Sequence, residues 1–145
     1  MNLENTLKDL EGTLTDLIGG MTVNPAATTD TVERQAVYLD RSETTDTRWK
    51  SLVSERLKTA KTFEIHCWNE EIEWIQVALR YGEMKQTNWG HGKVIAGAVT
   101  PAFTKMLLGL PKPTDTEIYT KMTPFFNVFL DNNFGSSHYG TEVYL

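Results

Sequence analysis

Residues 61–82 constrain the fold most, because within this segment a strand pattern passes into a helix pattern. Apolar and polar side chains alternate over residues 63–68, which is the two-residue period of a strand with one buried face. The alternation directs Cys67 toward the core and His66 outward. Apolar residues then return at helical spacing, so we expect a strand followed directly by an amphipathic helix.

Asn69 stands at the change of pattern, and we expect it to cap the helix. Glu70, Glu71 and Glu73 follow in the first turn, where unpaired N–H groups and the helix dipole favour negative side chains. This position explains the three carboxylates without a metal or an acid–base role. The buried stripe of the helix is expected to consist of Ile72, Ile75, Ala78 and Leu79.

Two further helices are indicated in the rest of the chain. Apolar spacing predicts one over residues 47–60, with Asp46 as its cap. Thr100 followed by Pro101 is typical of a helix start, and this second helix is expected to end at Gly109.

Three segments favour extended chain. The apolar run over residues 94–99 suits a central strand covered on both faces. Residues 117–130 are rich in β-branched and aromatic side chains, and residues 140–145 can return beside them after a turn over residues 131–135. The sequence therefore predicts an α+β fold with a mixed, mainly antiparallel sheet packed by three or four helices, and an N-terminal amphipathic helix on a polar tether.

The N-terminal helix is predicted from leucines that recur at alternating steps of four and three residues: Leu3, Leu7, Leu10, Leu14 and Leu17. This heptad spacing lays a narrow apolar stripe along a helix that is expected to end at Gly19 and Gly20. The stripe must pack either on the protein's own core or on another helix. We predict that these leucines bind a partner, which is either another protein or a second copy of this chain.

Residues 21–46 are polar and rich in threonine, apart from an apolar island at residues 32–39 that fits either a strand or a helix. We therefore divide the chain into an N-terminal helix with an acidic linker, residues 1–46, and an α+β body, residues 47–145, within one globular domain overall.

Charge and composition exclude several classes of function. The net charge is −5, and residues 1–46 contain nine Asp and Glu against three Lys and Arg, so we expect no nucleic-acid partner. No run of about eighteen apolar residues is present, so no membrane partner is expected. A single cysteine cannot form an internal disulfide, and the protein is expected to be cytoplasmic.

The chain lacks a complete catalytic or cofactor motif. Cys67 with His91 or His138 is the strongest enzyme hypothesis, but an inward-facing cysteine among carboxylates is a poor nucleophile. His66 and Glu70 do not have a known metal-ligand spacing. We therefore expect no catalytic residue, no metal and no cofactor, and a function that is more consistent with binding than with catalysis.

Two binding functions remain. The first is a protein–protein interaction or assembly module that acts through the leucine helix. The alternative is a small-molecule-binding domain with an aromatic pocket around the tryptophans and a carboxylate as polar anchor. The residues predicted for this pocket are Trp68, Glu71, Trp74, Tyr81, Trp89 and His91.

The first function predicts that association depends on the leucine helix. The full chain should scatter light as an oligomer, and a chain beginning at Thr45 should scatter as a folded monomer, because it lacks the heptad stripe. A full chain that is already monomeric would contradict this prediction.

Overall fold

The structure is a computed structural model that describes residues 35–39, 43–114 and 120–145. All of these residues belong to one compact unit, Gln35–Leu145. The leucine helix lies outside the described residues, so its existence and its role in partner binding stay predictions.

Seven strands of the described chain form one sheet in which every neighbouring pair is antiparallel. The predicted α+β class is confirmed, and no parallel pair occurs among these strands. The strands are β1 (Ala36–Tyr38), β2 (Thr62–Trp68), β3 (Glu83–Lys85), β4 (Gly92–Ala98), β5 (Asn127–Leu130), β6 (Phe134–Ser137) and β7 (Glu142–Tyr144). Their order across the sheet is β1-β7-β6-β5-β2-β4-β3.

Three described helices bury their apolar sides in one core with the inward-facing residues of the sheet, which include Ile65, Cys67 and Val128. They are α1 (Thr47–Leu57), α2 (Ile72–Leu79) and α3 (Pro101–Gly109). The residues that the helices bury are Trp49, Val53, Leu57, Ile75, Ala78, Phe103 and Leu107. Burial of apolar surface on this scale is the main stabilising contribution to the fold.

The predicted start of α3 is confirmed in detail. Thr100 is in an extended conformation, and its Oγ1 accepts a hydrogen bond from the N–H of Phe103 at 3.1 Å. Pro101 follows at the first helical position, where its missing N–H has no intrahelical partner to lose.

The predicted cap of α2 is wrong. The helix begins at Ile72, and Glu71 occupies the N-cap position. The side chain of Asn69 instead donates a hydrogen bond from Nδ2 to the carbonyl of Gly90 at 2.9 Å, and Glu71 Oε1 accepts one from the N–H of Trp68 at 2.9 Å. Asn69 therefore binds the loop before β4 rather than the helix.

Strand β4 is a central strand, as expected, and both of its faces are covered over part of its length. It pairs with β2 on one side and with the short edge strand β3 on the other. Ile95 is fully buried beneath the helices, whereas Ala98 on the opposite face is exposed. Val94, on the same face as Ala98, is 4% exposed, so both faces are covered at Val94 and Ile95, and the prediction is wrong only toward the end of the strand.

In the C-terminal part, regular strand structure is shorter than expected. Only Asn127–Leu130 of the predicted extended segment forms a strand among the residues described, and Met122 to Phe125 are buried without regular structure. The turn includes Asp131 and Asn132, both with left-handed φ angles of 55° and 61°. Asp and Asn tolerate this conformation better than most residues.

The apolar island at residues 32–39 contributes strand β1, which pairs with β7 at the edge of the sheet. Leu39 directly after it is fully buried. A chain that begins at Thr45 would therefore lose a strand and a core residue. A chain that begins at Gln35 removes the leucines and keeps both, so it is the better comparison in the light-scattering experiment.

Asp131 should make stability depend on acid pH. Its Oδ1 accepts hydrogen bonds from the N–H groups of Lys61 and Thr62, both at 2.9 Å, and these bonds hold the pKa of the carboxyl below its usual range. Because the pKa is lower in the folded state, this stabilisation is present above the unfolded-state pKa of about 4. It is lost as the pH falls through the folded-state value.

We expect Asp131→Ala to lower the melting temperature by a few degrees at pH 7 and to flatten the dependence of the urea midpoint on pH below about 4. Glu55→Ala is the control, since Glu55 is an exposed carboxylate that pairs with the exposed Lys58 at 3.2 Å. An unchanged pH profile for Asp131→Ala would show that the two hydrogen bonds do not stabilise the folded state.

Candidate functional site

Within the described residues, no helix covers the face of the sheet opposite the three helices, and we call it the open face. Alternation along each strand directs a mixed set of polar and aromatic side chains to it. Those from β2, β5 and β7 are Glu64, His66, Trp68, Asn127, Phe129, Glu142 and Tyr144. Each of them is partly buried, because neighbouring side chains on the open face cover one another.

Trp89, in the loop before β4, lies against the open face at Gly92. A Cβ atom added to Gly92 would overlap the indole ring of Trp89 and would stand 2.5 Å from the carbonyl oxygen of Cys67. Only glycine permits this close approach. The loop is fixed to the end of β2, because the N–H of Asn69 donates to the carbonyl of His91 at 2.9 Å.

Four rings contact one another in series in what we call the aromatic corner: His66, Trp89, Trp68 and Phe126. The ring centroids of Trp68 and Trp89 are 5.1 Å apart and their planes meet at 64°. Trp68 and Phe126 are 4.8 Å apart at 51°, and His66 and Trp89 are 5.8 Å apart at 48°. In each of these three pairs the ring planes are inclined, so the rings line a concave space rather than form a stack.

Polar side chains cross the open face beside the aromatic corner. Glu64 Oε2 lies 2.8 Å from His66 Nε2, and Lys85 Nζ donates to Glu64 Oε1 at 2.9 Å. Burial raises the pKa of Glu64, but the hydrogen bonds from His66 and Lys85 outweigh it, so the net shift of the pKa is downward. Glu64 is therefore a carboxylate at neutral pH.

The hydrogen bonds of Asn127 assign the tautomer of His66. The N–H of His138 donates to Asn127 Oδ1 at 3.3 Å, so Asn127 turns its Nδ2 toward His66 Nδ1, 3.2 Å away. An amide N–H₂ is only a donor, so Nδ1 must accept and the proton lies on Nε2. His66 then donates to Glu64, and all three side chains are held in fixed orientations.

The aromatic corner lines a groove with a volume of about 450 Å³, which we call the aromatic groove. Its walls are Glu64, His66, Trp68, Thr87, Trp89, Val94, Phe126 and Asn127. A second groove of about 390 Å³ shares Thr87, Trp89 and Val94 with it, and a third of about 420 Å³ shares Glu64. The size and mixed lining of the aromatic groove are those of small-ligand sites.

Of the residues predicted for the pocket, the structure brings Trp68 and Trp89 together. Trp74 lies on the helix side of the sheet, where its ring packs 5.9 Å from that of Phe125. Tyr81 is also on that side, with its ring 6.3 Å from that of Phe103.

The two predicted polar members of the pocket do not line the aromatic groove either. Both carboxylate oxygens of Glu71 have structural partners, since Oε1 accepts from the N–H of Trp68 and Oε2 from the hydroxyl of Tyr139 at 2.7 Å. His91 is exposed on the loop.

The sequence did not predict that Phe126 and Asn127 line the groove. Asn127 begins β5 and Phe126 directly precedes it, and both reach the groove because β5 pairs with β2. The alternation over residues 63–68 already indicated that Glu64 and His66 face outward, but it gave no sign of what they would meet.

Cys67 is placed in the core, as predicted, and is fully buried. Burial, with a smaller contribution from the negative charge of Glu71, raises the pKa of its thiol to about 12. At neutral pH it is therefore a protonated core side chain rather than a nucleophile. Within residues 35–39, 43–114 and 120–145, no three His, Cys, Asp or Glu side chains are grouped closely enough to hold a metal ion.

Comparison of the chain with protein-family models, with curated proteins and with solved structures found no match. Among the described helices, none has the length and apolar character needed to cross a membrane. The function must therefore be inferred from the site itself.

Trp49 and Trp89 should differ sharply in their contribution to stability. Trp49 is 1% exposed, and its Nε1–H donates to Ser136 Oγ at 2.9 Å, so we expect Trp49→Ala to cost about 3–5 kcal/mol. Trp89 lies on the surface of the sheet, and we expect Trp89→Ala to cost about 1–2 kcal/mol. Urea unfolding measures both, and equal losses would identify Trp89 as a core residue.

Proposed function

We propose that this protein binds a small, uncharged organic ligand in the aromatic groove. The observation that carries the proposal is the arrangement of four inclined rings around a space of about 450 Å³, on the face of the sheet that the described helices leave open. Ring faces supply apolar contact area, and the polar side chains between them supply orientation.

The charges around the groove support an uncharged ligand. Among the described residues, Glu64 is the only carboxylate in its wall, and it is already paired with Lys85 and hydrogen-bonded to His66. A cationic ligand would have to displace Lys85, and an anionic one would meet the Glu64 carboxylate. A neutral ligand binds without breaking this ion pair.

The polar wall is also preorganised. Asn127, His66 and Glu64 are linked in series by hydrogen bonds of 3.2 Å and 2.8 Å, and all three project from paired strands. Side chains that are fixed before binding lose little conformational entropy when a ligand arrives. This supports recognition by a largely preformed site.

Association through the heptad leucines is the second function that we propose. Its support is the leucine spacing at residues 3–17. Light scattering on the full chain and on the chain that begins at Gln35 tests it independently of the groove.

The ligand-binding proposal predicts that small neutral ring compounds bind at Trp68 and Trp89. In NMR titrations with a library of uncharged ring-containing fragments, we expect hits that shift the indole N–H signals of these two tryptophans and leave that of Trp49 in place. Trp89→Ala should abolish the hits, because it removes the ring that joins His66 to Trp68.

Trp74→Phe is the matched control, since it removes an indole on the helix side of the sheet. It should keep every hit. A library whose hits all map elsewhere, or hits that survive Trp89→Ala in full, would overturn the proposal.

A further inference from the structure

The inclination of the rings narrows the class of ligand, on the premise that the proposed function is correct. We infer that the ligand of the aromatic groove is a neutral oligosaccharide built from pyranose rings. Three features of the open face lead to this class: the angles between the rings, the hydrogen-bonding capacity between them, and the balance of charge along the adjoining grooves.

A flat heteroaromatic ligand can lay its whole face on one parallel ring, and it then meets a second, inclined ring only with its edge. The pairs around the aromatic groove meet at 48°, 51° and 64°. A chair-shaped sugar ring has C–H groups on more than one of its surfaces, so it can contact two inclined aromatic faces at once. The concave corner therefore fits a puckered ring better than a planar one.

The polar side chains of the groove keep hydrogen-bonding capacity that sugar hydroxyls can use. Thr87 Oγ1 accepts from the N–H of Trp89 at 3.2 Å, which leaves its own hydroxyl proton to donate. The side chain of Asn127 donates one N–H to His66 and accepts one hydrogen bond from the N–H of His138. Its second N–H and the second lone pair of its oxygen can bind a ligand. Glu64 retains lone pairs on both oxygens. Hydroxyl groups both donate and accept, and they match this mixture.

The three grooves adjoin, so a ligand longer than one ring can extend along the open face. Trp89 and Thr87 form a wall common to the first and second grooves, and Glu64 forms one common to the first and third. A chain of sugars that occupies the aromatic groove would reach a neighbouring groove with its next residues. Each added sugar ring then contributes contact area, and no further loop or side chain has to lose conformational entropy.

The charge of the grooves argues against a phosphate-linked chain. The charged side chains in the three walls are Glu64 and Asp131 against Lys85 and Lys93, and they sum to zero. Single-stranded nucleic acids also stack on aromatic side chains, but they bind in grooves with an excess of positive charge. A balanced set of charges fits a neutral chain.

The inference is tested with hexasaccharides and disaccharides of five neutral series: β-1,4-glucose, α-1,4-glucose, β-1,4-mannose, β-1,4-xylose and β-1,4-N-acetylglucosamine. Binding to the full chain is measured by calorimetry and by the indole N–H shifts. We expect at least one hexasaccharide to bind about tenfold or more tightly than its disaccharide, a difference in free energy of about 1.4 kcal/mol. Its affinity should not change between about 50 mM and 200 mM salt.

Trp89→Ala and Trp68→Ala should each weaken binding of that hexasaccharide at least about tenfold, while Trp74→Phe leaves it unchanged. If Trp68→Ala does not fold, Trp68→Leu keeps an apolar side chain and lacks the ring face, and the same loss is expected. These variants assign binding to the aromatic corner rather than to another surface.

Failure of the inference is distinguishable from failure of the proposed function. Fragments that bind at Trp68 and Trp89 while all five hexasaccharides leave the indole signals unmoved would overturn the saccharide class and keep the groove as a binding site. Salt-sensitive binding of a ten-nucleotide deoxythymidine strand, with no saccharide binding, would overturn it in favour of nucleic acid. If neither the fragments nor the saccharides bind to the full chain, both proposals are overturned.

Discussion

Strand β2 pairs with β4 along its whole length and with β5 over residues 63–66, and its alternation separates the core from the open face. Phe63, Ile65 and Cys67 enter the helix-covered core, whereas Glu64, His66 and Trp68 point the other way. A shift of register by one residue would exchange the two sets and bury the Glu64 carboxylate. Burial of the three apolar side chains therefore selects the strand register. The same register places Glu64, His66 and Trp68 on the open face, where they line the candidate site.

The end of β2 holds the loop that contributes Trp89 to the candidate site. Asn69 donates from its side chain to Gly90 and from its backbone to His91, so the loop that contains Trp89 is attached to the strand that contains Trp68. Gly92 completes the arrangement by leaving room for the ring. The two tryptophans are 21 positions apart in the sequence, and this local clamp explains why they meet.

The parts of the fold that the sequence predicted are those with purely local signals. Alternation identified β2, and the Thr100–Pro101 pair identified the start of α3, because both depend on neighbouring residues alone. The cap at Asn69 was wrong because a hydrogen bond to a loop residue outcompeted the helix N–H groups. Asn127 reached the site through strand pairing with a segment about 60 residues away, for which a single sequence has no local pattern.

The two glycines of β4, Gly92 and Gly97, are each explained by an aromatic ring that packs against the backbone. Glycine inside a strand weakens it by about 0.5–1 kcal/mol relative to alanine, so each needs a compensating contact. Gly97 faces the core, where a Cβ atom would stand 2.9 Å from the Phe63 ring and 2.8 Å from the Tyr81 carbonyl. Gly92 faces outward, and there the space is taken by Trp89. Gly92 is buried by this indole and does not contact the core, so its effect is to seat Trp89 in the wall of the aromatic groove. The glycine at position 92 is thus explained by the Trp89 ring that packs on it.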